Sequence, residues 1–254
     1  MEPDEPKVKS LHKAIKLLDF FTPDTPERSL KELADLSGML KSSVYNIMQT
    51  LVLCGVIEKG SSAGRYRLGI KLLEFTNVLM SNNEARKIIR PFIEALAEEC
   101  NETVYYGIPA GNEVVYIDSA NPPKGLQFAR SVVGIKAELY CTGIGKAMLA
   151  FLGDDLLHVV IDNGLKAFTP YTITNPNALL HDLEETRKRG YSIDNMEHEY
   201  GIRCVGVPLR NRFNRIVGAL SISGPSLRIM DDKLTSFAAS LLRMANEIQP
   251  LLVQ

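Results

Sequence analysis

The chain has no tryptophan, few aromatic residues (7%) and four cysteines in 254 residues. Cys54, Cys100, Cys141 and Cys204 are far apart and form neither a CxxC pair nor a Cys/His run. That argues against a disulfide framework or a zinc finger and makes a reducing cytoplasm the expected compartment. No apolar run reaches about 18 residues, so no membrane span is expected. The start, Met1-Glu2-Pro3-Asp4-Glu5-Pro6, is acidic and proline-broken, unlike a secretory signal. Net charge is −1, so no global basic field points to nucleic acid. Gly143-Ile144-Gly145-Lys146 lacks the GxxxxGK[ST] spacing of a phosphate loop. Asp194, His198 and Cys204 supply three ligand types without the preset spacing of a metal site. Neither a cofactor nor a metal is expected.

Charge is present but unevenly spread. From Lys7 to Leu72 there are eleven lysines and arginines against six aspartates and glutamates, so the rest of the chain is net acidic. A basic amino-terminal module on an acidic body suits a DNA-binding head. The pattern inside that module is a run of short helices. Leu11, Ala14, Ile15, Leu18 and Phe21 repeat at helical spacing, predicting a first helix from about Ser10 to Phe21 that ends at Thr22-Pro23. Ser29 with Glu32 three residues on predicts a capping box opening a second helix, and Gly38 stands where a left-handed C-cap is needed. A third helix is expected from Lys41 to Cys54. A hairpin then follows, with strands Val56–Lys59 and Arg65–Leu68 around a Gly/Ser tip. This is the layout of a winged helix-turn-helix.

On the third helix, at 100° per residue, Val44, Ile47, Met48 and Leu51 form an inward face while Ser42, Tyr45, Asn46 and Gln49 gather opposite. Asn and Gln pair bidentately with adenine in the major groove, and Ser and Tyr serve phosphates or base edges. DNA contacts are therefore expected from Lys41, Ser42, Ser43, Tyr45, Asn46 and Gln49. Arg65 and Arg67 on the hairpin are placed to neutralise phosphate or enter a minor groove. The helix start offers few cations, so one head should bind weakly and two half-sites would be needed.

Ile70–Ser81 is apolar around much of its circumference, which predicts a linker helix buried against another chain or domain. The expected division is a DNA-binding domain at 8–69, a linker at 70–82 and a second domain at 83–254. In the second domain the patterns predict helices at Glu84–Cys100, Gly143–Phe151, Asp154–Ile161, Pro176–Arg189 and Asp231–Leu252. Strands are expected at Thr103–Ile108, Val114–Ser119, Leu126–Val133, Tyr191–Asp194, Cys204–Leu209 and Ile216–Ser223. The fold class is α+β on a mainly antiparallel sheet.

Five blocks in order carry a family resemblance: Lys41-Ser42-Ser43-Val44-Tyr45, Gly64-Arg65-Tyr66-Arg67-Leu68-Gly69, Gly145-Lys146-Ala147, Gly201-Ile202-Arg203-Cys204 and Ser221-Ile222-Ser223-Gly224-Pro225. From about Ser10 to the carboxyl terminus the chain resembles the IclR family of bacterial transcriptional regulators. The resemblance implies a winged-helix head, a linker helix and a GAF-like α/β effector-binding domain. It also implies dimers that often pair into tetramers on double-stranded operator DNA, and an effector that is a small carboxylate. Asp194–Cys204 is similar to the branch that senses sugar acids such as 2-keto-3-deoxygluconate. Carried over onto this sequence, the pocket positions are the backbone amides of Gly143 and Ile144, a wall of Asp194, Cys204, Ser221 and Ser223, and an apolar lid of Ala137 and Leu126. Two departures stand out: Asn46 replaces the family's common Arg, and Glu138 its usual Pro.

The residues make chemical sense of such a pocket. Tyr140-Cys141-Thr142-Gly143 leads straight into a helix, whose first amides are free for a carboxylate. Ser221 and Ser223, two apart on a strand, project from one face. Blander alternatives stay open: Cys204 as a small buried apolar residue, and the two serines as solvent-facing strand positions. The expected function is a ligand-responsive regulator of catabolic genes, read as a repressor, with an activator of aromatic-acid catabolism as the alternative. An enzyme using Cys204 or Cys141 with His158, His181 or His198 would leave the helix-turn-helix unexplained.

Overall fold

The computed structural model describes residues 5–122 and 133–253, and its internal contacts divide the chain into two compact units, up to residue 83 and from residue 84.

The first unit holds α1 (Lys9–Leu18), β1 (Glu27–Ser29), α2 (Leu30–Ser37), α3 (Lys41–Leu53), β2 (Ile57–Lys59), β3 (Arg65–Leu68) and α4 (Lys71–Ser81). Its core is Leu17, Phe21, Leu33, Val44, Met48, Ile57 and Tyr66. Ser29 and Glu32 form the capping box, and Gly38 ends α2 at φ 66°, a conformation that favours glycine. β1, which has no apolar alternation to announce it, completes an antiparallel sheet of order β1-β3-β2. One expectation needs correction. Helix α1 stops at Leu18, so Phe21 reaches the core from beyond the helix end. Leu11 and Ile15, on the predicted apolar face, are 60% and 54% exposed, while Leu17 turns inward. None of the residues of α4 is buried, and Leu73, Phe75, Val78 and Leu79 all lie open.

The second unit holds α5 (Glu84–Cys100), β4 (Thr103–Ala110), β5 (Glu113–Ala120), β6 (Lys136–Glu138), α6 (Gly143–Leu149), α7 (Asp154–Asp162), α8 (Pro176–Arg189), β7 (Ser192–Asn195), β8 (Ile202–Arg210), β9 (Ile216–Pro225) and α9 (Asp231–Ile248). The six strands pair antiparallel in the order β6-β5-β4-β9-β8-β7. The three-residue β6 has too little alternation to be read from sequence. The strand expected at Leu126–Val133 falls outside the described residues except for Val133, which sits in a turn. Helix α9 ends at Ile248 and gives way to a 3₁₀ turn over Gln249–Leu251, where Pro250 cannot donate to a continuing α-helix.

Successive strand residues point to opposite faces. Cys204 and Gly206 of β8, with Ser221 and Ser223 of β9, look toward α6. Asp118 of β5 looks the other way, where Arg86 (2.9 Å) and Arg90 (2.8 Å) of α5 hold it. The core between sheet and α6–α8 is built on Leu139, Tyr140, Ile144, Met148, Leu157, Leu179 and Leu183. It fixes α6 over the strands, and that position determines the site.

Candidate functional site

In the first unit α3 exposes Lys41, Ser42, Ser43, Tyr45 and Asn46 on one side while Val44 and Met48 anchor the other. Gln49 is half-buried, and its Nε2 donates to the Tyr66 hydroxyl at 3.2 Å, so it ties the recognition helix to the hairpin. Both hairpin arginines are also engaged. Arg65 donates to the Glu27 carbonyl (2.9 Å) and to Glu32 (3.4 Å), while Arg67 makes two bonds to Glu58 (3.3 and 3.2 Å). The Ser29 amide, and with it Arg65, holds the Glu32 carboxyl below its ordinary range; the Ile70 amide and Arg67 do so for Glu58. The sequence placed these arginines against phosphate. In the fold both also pair with half-exposed carboxylates of the same unit.

In the second unit the strand register lines up two rows of side chains. Asp194 of β7 sits opposite Cys204, which sits opposite Ser223, which sits opposite Thr103. One step along, Gly206, Ser221 and Tyr105 form the next row. Helix α6 crosses these rows at backbone contact. A Cβ on Gly143 would lie 2.9 Å from the Cys204 Cβ, and one on Gly206 would run into the Gly143 carbonyl. Two glycines facing one another are what let the helix start approach the sheet.

Between α6, the rows and β6 lies a cavity of about 150 Å³. Ala137, Gly143, Ile144, Asp194, Cys204, Ser221 and Ser223 all line it. Leu126 lies outside the described residues. The register also brings in Tyr105 and Tyr116, edge to face at 5.4 Å, with His198 and Glu199 from the loop after β7. The sequence reading placed none of the four in the pocket, although any β4 residue paired with Ser221 had to share its face. Thr142 caps α6, accepting from the Gly145 amide at 3.1 Å. The amides of Gly143 and Ile144, first in the helix, have no acceptor one turn back.

Burial works against charge on several of the groups around the cavity. Burial pushes the Asp194 carboxyl up to about 6, against the pull of the Glu197 amide (2.7 Å) and Lys146. Burial raises the Cys204 thiol, whose Sγ lies 3.1 Å from the Ser223 hydroxyl. Cys141 Sγ lies 3.7 Å from His198 Nδ1, but burial raises the thiol and lowers the imidazole, so neither the thiolate nor the imidazolium is favoured. His158 and His181 lie exposed on α7 and α8. Among the described residues no cluster of three or more His, Cys, Asp or Glu could hold a metal, and no helix is long and apolar enough to cross a membrane.

Behind the cavity stands a feature with no sequence signal. Lys146 is fully buried on α6, with its Nζ 2.6 Å from Glu197 and 2.8 Å from Asp182 of α8. Burial alone would lower it, but Glu197 and Asp182 prevail and hold it charged. Burial lifts Glu197 to about 7, and its Oε2 has no hydrogen-bond partner among the described residues. Asp194, Glu197 and Lys146 thus form a chain from the cavity wall into the interior.

A winged helix-turn-helix followed in the chain by an α/β unit with a small polar cavity is the architecture of DNA-binding transcriptional regulators that carry a ligand-binding domain. The family model for the bacterial transcriptional regulator IclR C-terminal domain matches residues 78–250, and that for the IclR helix-turn-helix domain matches residues 10–61. The chain belongs to the IclR family of transcriptional regulators, which are not enzymes. It is 32% identical over 237 residues to the HTH-type transcriptional regulator XynR of Escherichia coli K12, covering 93% of this chain and 94% of that one. It is 30% identical over 245 residues to the transcriptional repressor IclR of the same organism, covering 95% and 89%. The crystal structure of the Thermotoga maritima IclR matches with a TM-score of 0.70 at 34% identity, covering 94% and 97%.

Proposed function

We propose that this chain is a ligand-responsive repressor of catabolic genes whose effector is a small hydroxylated carboxylic acid, a keto sugar acid being the type that fits best. The observation that carries the reading is the cavity over α6. At about 150 Å³ it is of the size of a cavity that admits one benzene-sized molecule, so the effector should be a small molecule. One end offers the amides of Gly143 and Ile144 to a carboxylate. The opposite wall offers Ser221, Ser223 and Asp194, which pair with hydroxyl and carbonyl groups and not with apolar surface. Tyr105 and Tyr116, packed edge to face, close the side with aromatic surface. The repressor sign is supported by the relative named a repressor over 95% of this chain.

Asn46 is the base-reading residue in this proposal, with Ser42, Ser43, Tyr45 and Lys41 on adjacent phosphates and base edges. Gln49 acts through Tyr66, orienting helix and wing together. The open apolar faces of α1 (Leu11, Ile15) and α4 (Leu73, Phe75, Val78, Leu79) are the surfaces for a second copy, giving a dimer on two half-sites. Effector binding then shifts the population between two arrangements of the dimer. The ligand's differential affinity for them sets the size of the response, about 1–3 kcal/mol.

A thermal-shift screen of keto and hydroxy acids against the full chain tests the effector assignment. An acid present at about 100 times its Kd stabilises by about 2.7 kcal/mol, or roughly 5–11 °C for a unit of this size. The same acid should leave Ser221→Leu unmoved. A hit that shifts both chains equally, or a screen in which only neutral or cationic compounds act, overturns it.

A further inference from the structure

The DNA-binding head has a second feature that the recognition helix does not absorb. Helix α1 carries two stripes. Leu11, Ile15 and Leu18 form an apolar one, while Lys9, Lys13 and Lys16 fall on the opposite flank at i, i+4 and i+7, with Phe20 just beyond the helix end. Against that second flank lies a groove of about 370 Å³ lined by His12, Lys13, Lys16, Phe20, Leu36, Ser37 and Met39. No carboxylate lines it. Lys13 and Lys16 are exposed and make no ion pair among the described residues, unlike Arg65 and Arg67. Leu36, Ser37 and Met39 belong to the end of α2 and the turn into α3, so the groove reaches the turn that precedes the recognition helix.

We infer that this groove is a sequence-independent seat for the sugar-phosphate backbone of duplex DNA beside the base-reading helix. The chemistry divides as a backbone strand requires. Ammonium groups on the rim take phosphate oxygens, and the apolar floor of Phe20, Leu36 and Met39 takes the faces of deoxyribose rings. Continuity with the recognition helix selects DNA over an acidic protein segment, because a strand entering the major groove at α3 passes the turn that precedes it. The groove also answers the shortage of cations on the head. The hairpin arginines already face Glu32 and Glu58, so the counterion release that gives a regulator most of its affinity needs lysines elsewhere.

The test is fluorescence anisotropy of the full-length chain on a labelled 30-base-pair duplex of mixed sequence, titrated at several salt concentrations. Lys13→Gln/Lys16→Gln is compared with Lys13→Arg/Lys16→Arg, and with Lys188→Gln/Lys233→Gln, which removes equal charge from the second unit. Each phosphate contact contributes about 0.9 to the slope of log K against log salt. The groove variant should therefore lose about 1.8 of slope per head, and roughly 60-fold in affinity per head at 0.1 M salt, with the deficit shrinking as salt rises. The arginine variant and the distant control should keep the wild-type slope. An unchanged slope in the groove variant overturns the inference even if DNA binding itself is intact, and would leave the groove to an acidic protein partner. A slope lost equally in the distant control assigns the effect to net charge and overturns it as well. A wild-type chain that does not bind the duplex at all removes the DNA reading of the whole head, the groove included.

Discussion

Replacing Lys146 by Met should destabilise the second unit strongly, and more at alkaline than at acid pH. Methionine keeps most of the volume of the buried stem and removes the ammonium, so the cost is electrostatic. Glu197 at 2.6 Å and Asp182 at 2.8 Å lose their counter-charge, and Glu197 is 4% exposed, with water unable to replace it. Breaking one side of a buried ion pair costs about 3–5 kcal/mol, or roughly 6–20 °C in Tm for a unit of this size. The pH dependence follows from the carboxyl groups. Glu197 and Asp194 are raised in the folded state to about 7 and about 6 from 4.5 and 3.8. A raised carboxyl contributes stability that is complete below the unfolded pKa and lost as pH rises through the folded one. In the wild-type chain this loss spans about pH 4 to 7. Without Lys146 the folded value of Glu197 rises further, so the loss continues above pH 7 at about 1.4 kcal/mol per pH unit until that value is passed. Urea denaturation at pH 5.5 and 8.5 reads it through tyrosine fluorescence, since there is no tryptophan and seven of the nine tyrosines lie beyond residue 83. Adding Glu197→Gln should recover part of the loss at pH 8.5. A variant within about 0.5 kcal/mol of wild type at pH 8.5, the ordinary range of surface changes, would refute the reasoning. So would a deficit that does not grow with pH.

Two further outcomes are expected. Asn46→Ala should relax base preference at one position of each half-site by about 1–3 kcal/mol, read by selection of bound sequences from a random duplex pool; Gln49→Ala should lower overall affinity without changing the selected sequence, because Gln49 bonds Tyr66. If the second variant changes the sequence and the first does not, the base reader has been misassigned. Gly143→Ala should cost about 1–3 kcal/mol of stability by forcing α6 off the Cys204 Cβ, and should abolish any acid-induced thermal shift; a normal shift in that variant would mean the ligand does not need the α6 start.

The parts of the fold that were legible in the sequence are those specified by local chemistry. The Ser29/Glu32 box, Gly38 and the Val44/Met48 face each need a few neighbouring residues and nothing distant. The long strands alternate, so their positions could be read too. The three-residue strands β1 and β6 could not, because they exist through the partner they pair with. The exposure of Leu11 and Ile15 was illegible for a different reason: helical spacing shows that a stripe is apolar, not whether it meets its own core or another surface. Around the cavity, Gly143, Asp194, Cys204, Ser221 and Ser223 were named from motif positions, and the cross-strand register is what sets them beside one another. The pairing of Lys146 with Glu197 was missed because lysine and glutamate side chains are read as surface. Only the packing of α6 between sheet and α8 reveals them as a buried pair. The internal engagement of Arg65 and Arg67 was hidden likewise, since Glu32 reaches Arg65 only once the hairpin has folded back on α2, and Glu58 faces Arg67 only through the β2–β3 register.

The most direct measurement is the affinity of the full-length chain for the DNA segment upstream of its own gene, with and without the acid that gives the largest thermal shift. Wild type and Ser221→Leu are measured side by side. In the wild-type chain the acid should weaken binding about 5- to 150-fold, the range of a 1–3 kcal/mol coupling, and in Ser221→Leu it should change nothing. An equal response in both chains, or none in wild type at saturating acid, would contradict the assignment of the cavity over α6 as the seat of the regulatory signal.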